Sequence, residues 1–167
     1  MISEGKKFEM DFKKSIPEDV WFYRFKDGTA NFAGKQNDNV RFQASNICDC
    51  ELYLDGLFLF ELKSHLGKSL PHSQFMTGDN TKIKHMNEMT AAMAFGICAG
   101  VLINMRDVGE TFFMYADHII EHINSSGRKS ISLDYMRDHG YRLKAEQKRV
   151  RWRYDVHDLL KHIRIKE

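Results

Sequence analysis

The sequence predicts an α/β fold, a mixed β-sheet core flanked by helices on both sides. Three observations predict it. Ile47 to Leu54 and Leu57 to Lys63 are strand-like segments joined by Asp55-Gly56, a tight-turn signal that makes a hairpin. Cys98 to Asn104 is a continuous apolar run, as in a strand covered on both faces. Apolar residues at helical spacing lie before, between and after these strands.

Each element has a local reason. Ser3 is a suitable N-cap for a helix from Glu4 to Lys14, in which Phe8 and Phe12 share the buried face. Val20 to Phe25 is aromatic and β-branched and reads as a strand. Asp27 to Asn39, with Gly28, Gly34 and several Asn, reads as a long loop or loosely paired hairpin. After the Ile47–Lys63 hairpin, the polar stretch His65 to Asn80 is interrupted by Gly67, Pro71 and Gly78 and reads as a loop. Thr81 to Phe95 is predicted helical, with Ile83, Met86, Thr90, Met93 and Ala94 as its stripe and Gly96 as its stop. Thr111 to Tyr115 is a further strand. Asp117 to Asn124, Ser132 to His139 (stopped by Gly140) and Asp155 to Ile163 are helices. In the last, Val156, Leu159, Leu160 and Ile163 lie on one face.

Composition narrows the class. A chain of 167 residues suits one domain with a real core. Its 43% hydrophobic and 29% charged residues, with 2 Pro, exclude a disordered or collagen-like chain. No apolar run approaches the roughly 20 residues that span a bilayer, so no membrane role is expected. The charged opening MISEGKKFEMDFKK has no apolar signal core, and Cys48, Cys50 and Cys98 are an odd set. A reduced, cytoplasmic protein is expected. Residues 1–127 hold 13 Lys+Arg and 17 Asp+Glu, whereas residues 128–167 hold 12 and 6. Basic charge concentrated in the last quarter points to a polyanionic partner or to a solvated face.

The chemistry concentrates in Asp49 to Lys63. Glu61 interrupts the apolar run Leu57-Phe58-Leu59-Phe60 and shares a strand face with Lys63. The hairpin folds Asp49 toward Glu61. Buried charges must be paired or hold a metal, and hard carboxylate oxygens suit Mg²⁺. The alternative is an ordinary ion pair on a half-exposed hairpin.

Asp49, followed on the next strand by Glu61-Leu62-Lys63 and preceded by a helix carrying Glu9, resembles the PD-(D/E)XK nuclease superfamily. Gly5-Lys6-Lys7-Phe8-Glu9 resembles the opening helix of RecU-like Holliday-junction resolvases. Phe42-Gln43-Ala44-Ser45 resembles the run before their catalytic Asp. Ile131-Ser132-Leu133-Asp134-Tyr135-Met136 with His139-Gly140-Tyr141 resembles their C-terminal signature.

The resemblance implies a restriction-endonuclease-like fold over residues 1–145; residues 146–167 extend past it and are expected as a basic C-terminal extension packed on the same domain. It implies Asp49 and Glu61 as metal ligands, the Leu62 carbonyl as a further ligand, Lys63 as the catalytic lysine, and Glu9 reaching the metal through water. The metal would be Mg²⁺, with Mn²⁺ substituting. Arg41, Gln43, Ser45, Lys82 and Lys84 would face DNA; Lys82 stands where the family often has Gln. The segment from Gly28 to Arg41 is short beside the family's stalk. The implied reaction is phosphodiester hydrolysis on branched duplex DNA, and symmetric cleavage of a four-way junction requires a homodimer.

Other signals are weaker. Lys148-Arg149-Val150-Arg151-Trp152-Arg153-Tyr154 reads as a phosphate-gripping strand with Arg149, Arg151 and Arg153 on one face, or as a solvated strand with its aromatics packed inward. Cys48 and Cys50, two apart on a strand, are expected on one face as core, not as zinc ligands. The eight His are scattered, with His85 the nearest to the presumed site. Gly5, Gly67 and Gly78 form no phosphate loop, so no nucleotide cofactor is expected.

Overall fold

The computed structural model describes residues 2–25, 46–76, 83 and 85–164. Helix α1 (Glu4–Lys13) starts at Ser3, whose side chain accepts from the Lys6 N–H. Strands β1 (Trp21–Arg24), β2 (Cys50–Tyr53) and β3 (Leu57–His65) follow. The Asp55 turn, with φ 52° at that residue, joins the last two. Then come β4 (Ser69–Pro71), a 3-10 turn (His72–Phe75), α2 (Met86–Met93), β5 (Cys98–Met105) and β6 (Glu110–Tyr115). The chain continues with α3 (Ala116–Ser125), β7 (Ser130–Ser132), α4 (Leu133–His139) and β8 (Tyr141–Arg142). It ends with β9 (Ala145–Lys148), β10 (Arg151–Tyr154) and α5 (Val156–His162).

Six strands form one mixed sheet in the order β1-β2-β3-β5-β6-β8. Only β3 and β5 are parallel, and they are joined by a crossover containing α2. Every residue of β5 is buried, as its apolar run requires. One face of the sheet carries Leu59, Val101, Ile103, Phe112 and Met114 against Met86 and Met89 of α2, Ile119 of α3 and Met136 of α4. The other carries Phe58, Phe60 and Leu102 against Phe8 and Phe12 of α1 and Leu159 and Leu160 of α5. The molecule is therefore a mixed α/β structure, with a six-stranded sheet flanked by helices. Among the described residues no helix is long and apolar enough to cross a membrane.

Several expectations are corrected. The predicted loop from His65 contains β4, which pairs with β7, and the 3-10 turn. The helix after it begins at Met86 rather than Thr81, because His85 takes a left-handed φ of 62°. Ile83 pairs instead with Met76 in a β-bridge, and Met89, not Ala94, completes the buried stripe. Cys48 and Cys50 do not share a face: each lies in a different core cluster, because regular β2 starts only at Cys50. Gly140 does end α4, with φ −98°, and a Cβ there would lie 2.6 Å from the Met136 carbonyl oxygen. The predicted loop over Asp27 to Asn39 lies outside the described residues.

Candidate active site

The fork between β2 and β3 builds the site. Cys50 is opposite Phe60, and one residue earlier the Asp49 N–H still donates to the Phe60 carbonyl at 3.1 Å. There the ladder with β2 ends, so the Leu62 N–H needs another acceptor. The Asp49 carboxylate supplies it, with Oδ2 2.7 Å from the Leu62 nitrogen. A strand residue sends its N–H and C=O to the same edge, so the Leu62 carbonyl is directed toward the same opening.

Glu61 and Lys63 project from β3 on one face, with Lys63 Nζ 2.7 Å from Glu61 Oε1. Glu61 is 9% exposed. Burial raises the Asp49 carboxyl above the ordinary carboxylate range, and the neighbouring Glu61 raises it further. The Leu62 N–H, Lys63 and Arg24 act in the opposite direction without cancelling the rise. Among the described residues the fork thus holds two carboxylates that repel each other, with Lys63 beside them.

Glu9 comes from α1 and reaches a different partner. Its Oε2 accepts from Arg24 at 2.7 Å (Nη2) and 3.0 Å (Nε), with Lys6 at 3.9 Å. Arg24 ends β1 opposite Cys50, on the sheet face that α1 covers. It connects Glu9 electrostatically to Asp49, and the sequence reading did not single it out. The available signal was its alternation with Phe22, which places it two residues along on the α1 side.

The donors present fit a hard divalent cation in part. One oxygen of Asp49 holds the Leu62 N–H and one of Glu61 holds Lys63, and the like-charge repulsion between the two acids is what a cation relieves. Asp49, Glu61 and the Leu62 carbonyl would hold Mg²⁺, which keeps several waters. Among the described residues no three His, Cys, Asp or Glu side chains converge on one point, and Glu9 is committed to Arg24. Arg41, Gln43, Ser45, Lys82 and Lys84 lie outside the described residues.

The basic tail is arranged differently from the expectation. Arg149 occupies the turn between β9 and β10 with φ 57°, so it does not continue the row of Arg151 and Arg153. Arg151 pairs with the buried Asp11 of α1 at 3.3 Å, and Asp11 also accepts from the Trp152 N–H at 3.1 Å. Arg153 donates to the Trp152 carbonyl at 3.1 Å. Tyr154 is buried and Trp152 packs against the same cluster, which is the inward packing of the aromatics.

Sequence reading also missed a buried histidine pair. His72 Nε2 and His122 Nδ1 are 2.9 Å apart, and Tyr135 packs on His122. Burial lowers both histidines below their ordinary value. The two lie 50 residues apart, so no local spacing signals the pair. The chain matches no protein-family model and no curated protein.

Proposed function

We propose that the chain is a metal-dependent DNA endonuclease of the PD-(D/E)XK type, with a restriction-endonuclease-like core. Its best-fitting role is a RecU-like resolvase acting as a homodimer on four-way junctions. The observation that carries this reading is the fork itself: Asp49, just before β2, and Glu61, on β3, lie close enough to interact electrostatically beside Lys63. A purely structural ion pair needs one acid and one base. Here a second, half-buried acid, Asp49, stands near the first, its carboxyl raised by burial and further by Glu61.

When bound, Mg²⁺ supplies a polarised phosphoryl oxygen and a water of lowered pKa. The protein's share is positional. The Leu62 N–H fixes the Asp49 carboxylate, and Lys63 fixes Glu61. The Lys63 ammonium offers charge to the developing phosphorane oxygens. The Arg24–Glu9 pair sets the field on the α1 side.

A labelled synthetic four-way junction and its matched linear duplex, each with and without Mg²⁺, test the reading. Symmetric, Mg²⁺-dependent cutting of the junction is expected, with linear DNA cut more slowly at moderate salt. Mixing wild-type with Lys63→Ala subunits should give dimers that nick one strand. Equal cutting of both DNAs favours a general nuclease, and binding without cutting with Mg²⁺ or Mn²⁺ overturns the catalytic reading.

A further inference from the structure

Beside the fork lies an exposed aromatic row that the cleavage chemistry does not use. Trp21 and Tyr23 of β1 and Tyr53 of β2 are 52%, 45% and 54% exposed. Trp21 is directly opposite Tyr53, so all three share one sheet face. The Trp21 and Tyr23 rings are stacked, 6.2 Å between centroids and 8° between planes, and Phe25 closes the row edge-on to Tyr23. On this face α2 and α3 pack on β5 and α3 and α4 on β6, and the row lies at the β1 edge beyond them.

The row leads to the carboxylates. Alternation puts Trp21, Tyr23 and Tyr53 on the same face as Leu59, Glu61 and Lys63. The Phe25 N–H donates to the Asp49 carbonyl at 2.9 Å, so the residues just past the end of β1 and just before β2 are bonded to each other beside Glu61 of β3. From Trp21 to Phe25 the row spans roughly 13 Å.

We propose that Trp21, Tyr23 and Tyr53 form a stacking platform for unpaired nucleobases next to the cleaved phosphodiester, so that the substrate carries a single-stranded or frayed segment beside the cut. This rests on the nuclease reading of Asp49 and Glu61. Bases of any sequence stack on aromatic faces, and near-parallel Trp and Tyr rings offer such faces. Glu51, directly opposite Tyr23, puts a carboxylate in the row. It repels phosphate but accepts from base amino groups. Lys63, on this face, stands at the fork end, where the backbone phosphate belongs. The row therefore has a base-binding stretch and a phosphate-binding end.

The test titrates a short single-stranded oligonucleotide carrying 2-aminopurine with the full chain in EDTA, so that no cleavage intervenes. Quenching of 2-aminopurine is expected. Trp21→Ala and Tyr23→Ala should each weaken single-strand affinity by about 5- to 100-fold, while blunt-duplex affinity stays within about twofold and Trp21→Phe retains quenching. Should Trp21→Ala fail to fold, Tyr53→Ala carries the same comparison. Absence of quenching, or equal losses on both DNAs, overturns the proposal. So does a change of Trp21→Ala from dimer to monomer in sedimentation with oligonucleotide affinity unchanged, which makes this face a contact between copies. Quenching by a protein that cuts no DNA with Mg²⁺ overturns the nuclease reading and leaves the stacking platform standing.

Discussion

Glu61 and Glu110 are both strand glutamates with 9% exposure, yet their surroundings differ in kind. Glu110, on β6, is held by Arg137 through two hydrogen bonds of 2.7 and 3.2 Å, with Arg142 at 3.8 Å. The hydrogen bonding from Arg137 leads the effects that hold its carboxyl below the ordinary range. Among the described residues Glu61 has one lysine, Lys63, and lies near a second, half-buried acid, Asp49, whose carboxyl is pushed up. The first site has its countercharge built in. Among the described residues the second is short of positive charge, and that shortage is what separates a candidate cation site from a structural ion pair.

The strongest way to break this contrast is mutation read by cleavage. Asp49→Asn and Glu61→Gln should each lower Mg²⁺-dependent cutting by roughly 10²-fold or more. The Asn side-chain oxygen still accepts from the Leu62 N–H, so the fold should persist, and metal-free DNA binding should hold or strengthen. Glu110→Gln should leave cutting unchanged and lower stability by roughly 1–2 kcal/mol. Normal cutting by either fork variant, measured on a labelled junction, removes the distinction.

Metal-linked stability sharpens it. Mg²⁺ at about 100 times its Kd should stabilise the wild type by roughly 2.7 kcal/mol. For a chain of this size that raises Tm by about 5–10 °C. The shift should vanish in Asp49→Asn and Glu61→Gln and survive in Glu110→Gln. A shift that survives at the fork variants places the cation elsewhere.

Much of this was legible in the sequence, and the reason is local. Asp55-Gly56 specifies the hairpin, and the alternation of Leu57 to Lys63 puts Glu61 and Lys63 on one face without help from the rest of the chain. The Ser3 cap and the α5 stripe are local in the same sense. What failed depends on distant partners. Cys48 and Cys50 separate because the ladder ends at the fork, which strand period alone does not reveal. The Arg24–Glu9 pair joins residues 15 apart through the packing of α1. The His72–His122 pair joins residues 50 apart, and Arg151 meets Asp11 across 140. A short segment such as Ser69–Pro71, inside a polar stretch, becomes a strand only because β7 pairs with it.

The pH dependence separates the same regions with opposite signs. Asp49 has a raised folded value, so the folded state holds more proton than the unfolded one above 3.8. Its contribution falls as pH rises from that value through the raised one, and Asp49→Asn should gain Tm relative to wild type at neutral pH. Glu110 has a lowered value, so its contribution is present above 4.5 and is lost as pH falls through the folded value. His72 and His122 are also lowered, from 6.5, so the unfolded chain takes up protons first and stability drops as pH falls below 6.5. Melting curves of Asp49→Asn, Glu110→Gln and His122→Gln across pH 4–8 should show these three separate signatures. A neutral-pH Tm of Asp49→Asn below wild type contradicts the assigned repulsion.

The smallest expected effect applies the contrast to the tail. Arg151 has its counter-ion in Asp11, whereas Arg149 stands in the β9–β10 turn beside Val150, which is 84% exposed. A cation already neutralised inside the protein releases few counterions on binding DNA, and one at an exposed turn releases its full share. Arg149→Gln should therefore reduce the slope of log K against log[salt] for duplex binding by about 0.9. Arg151→Gln should change the slope by less, and it should instead destabilise the fold by up to about 1 kcal/mol, because Asp11 keeps the Trp152 N–H but loses its guanidinium. Arg153, bonded to a neutral carbonyl, should behave like Arg149. Salt titrations of the three single variants, each beside its own melting curve, decide it. Equal slope changes at Arg149 and Arg151 mean that DNA displaces Asp11, and no change at any of the three makes the hairpin a solvated face.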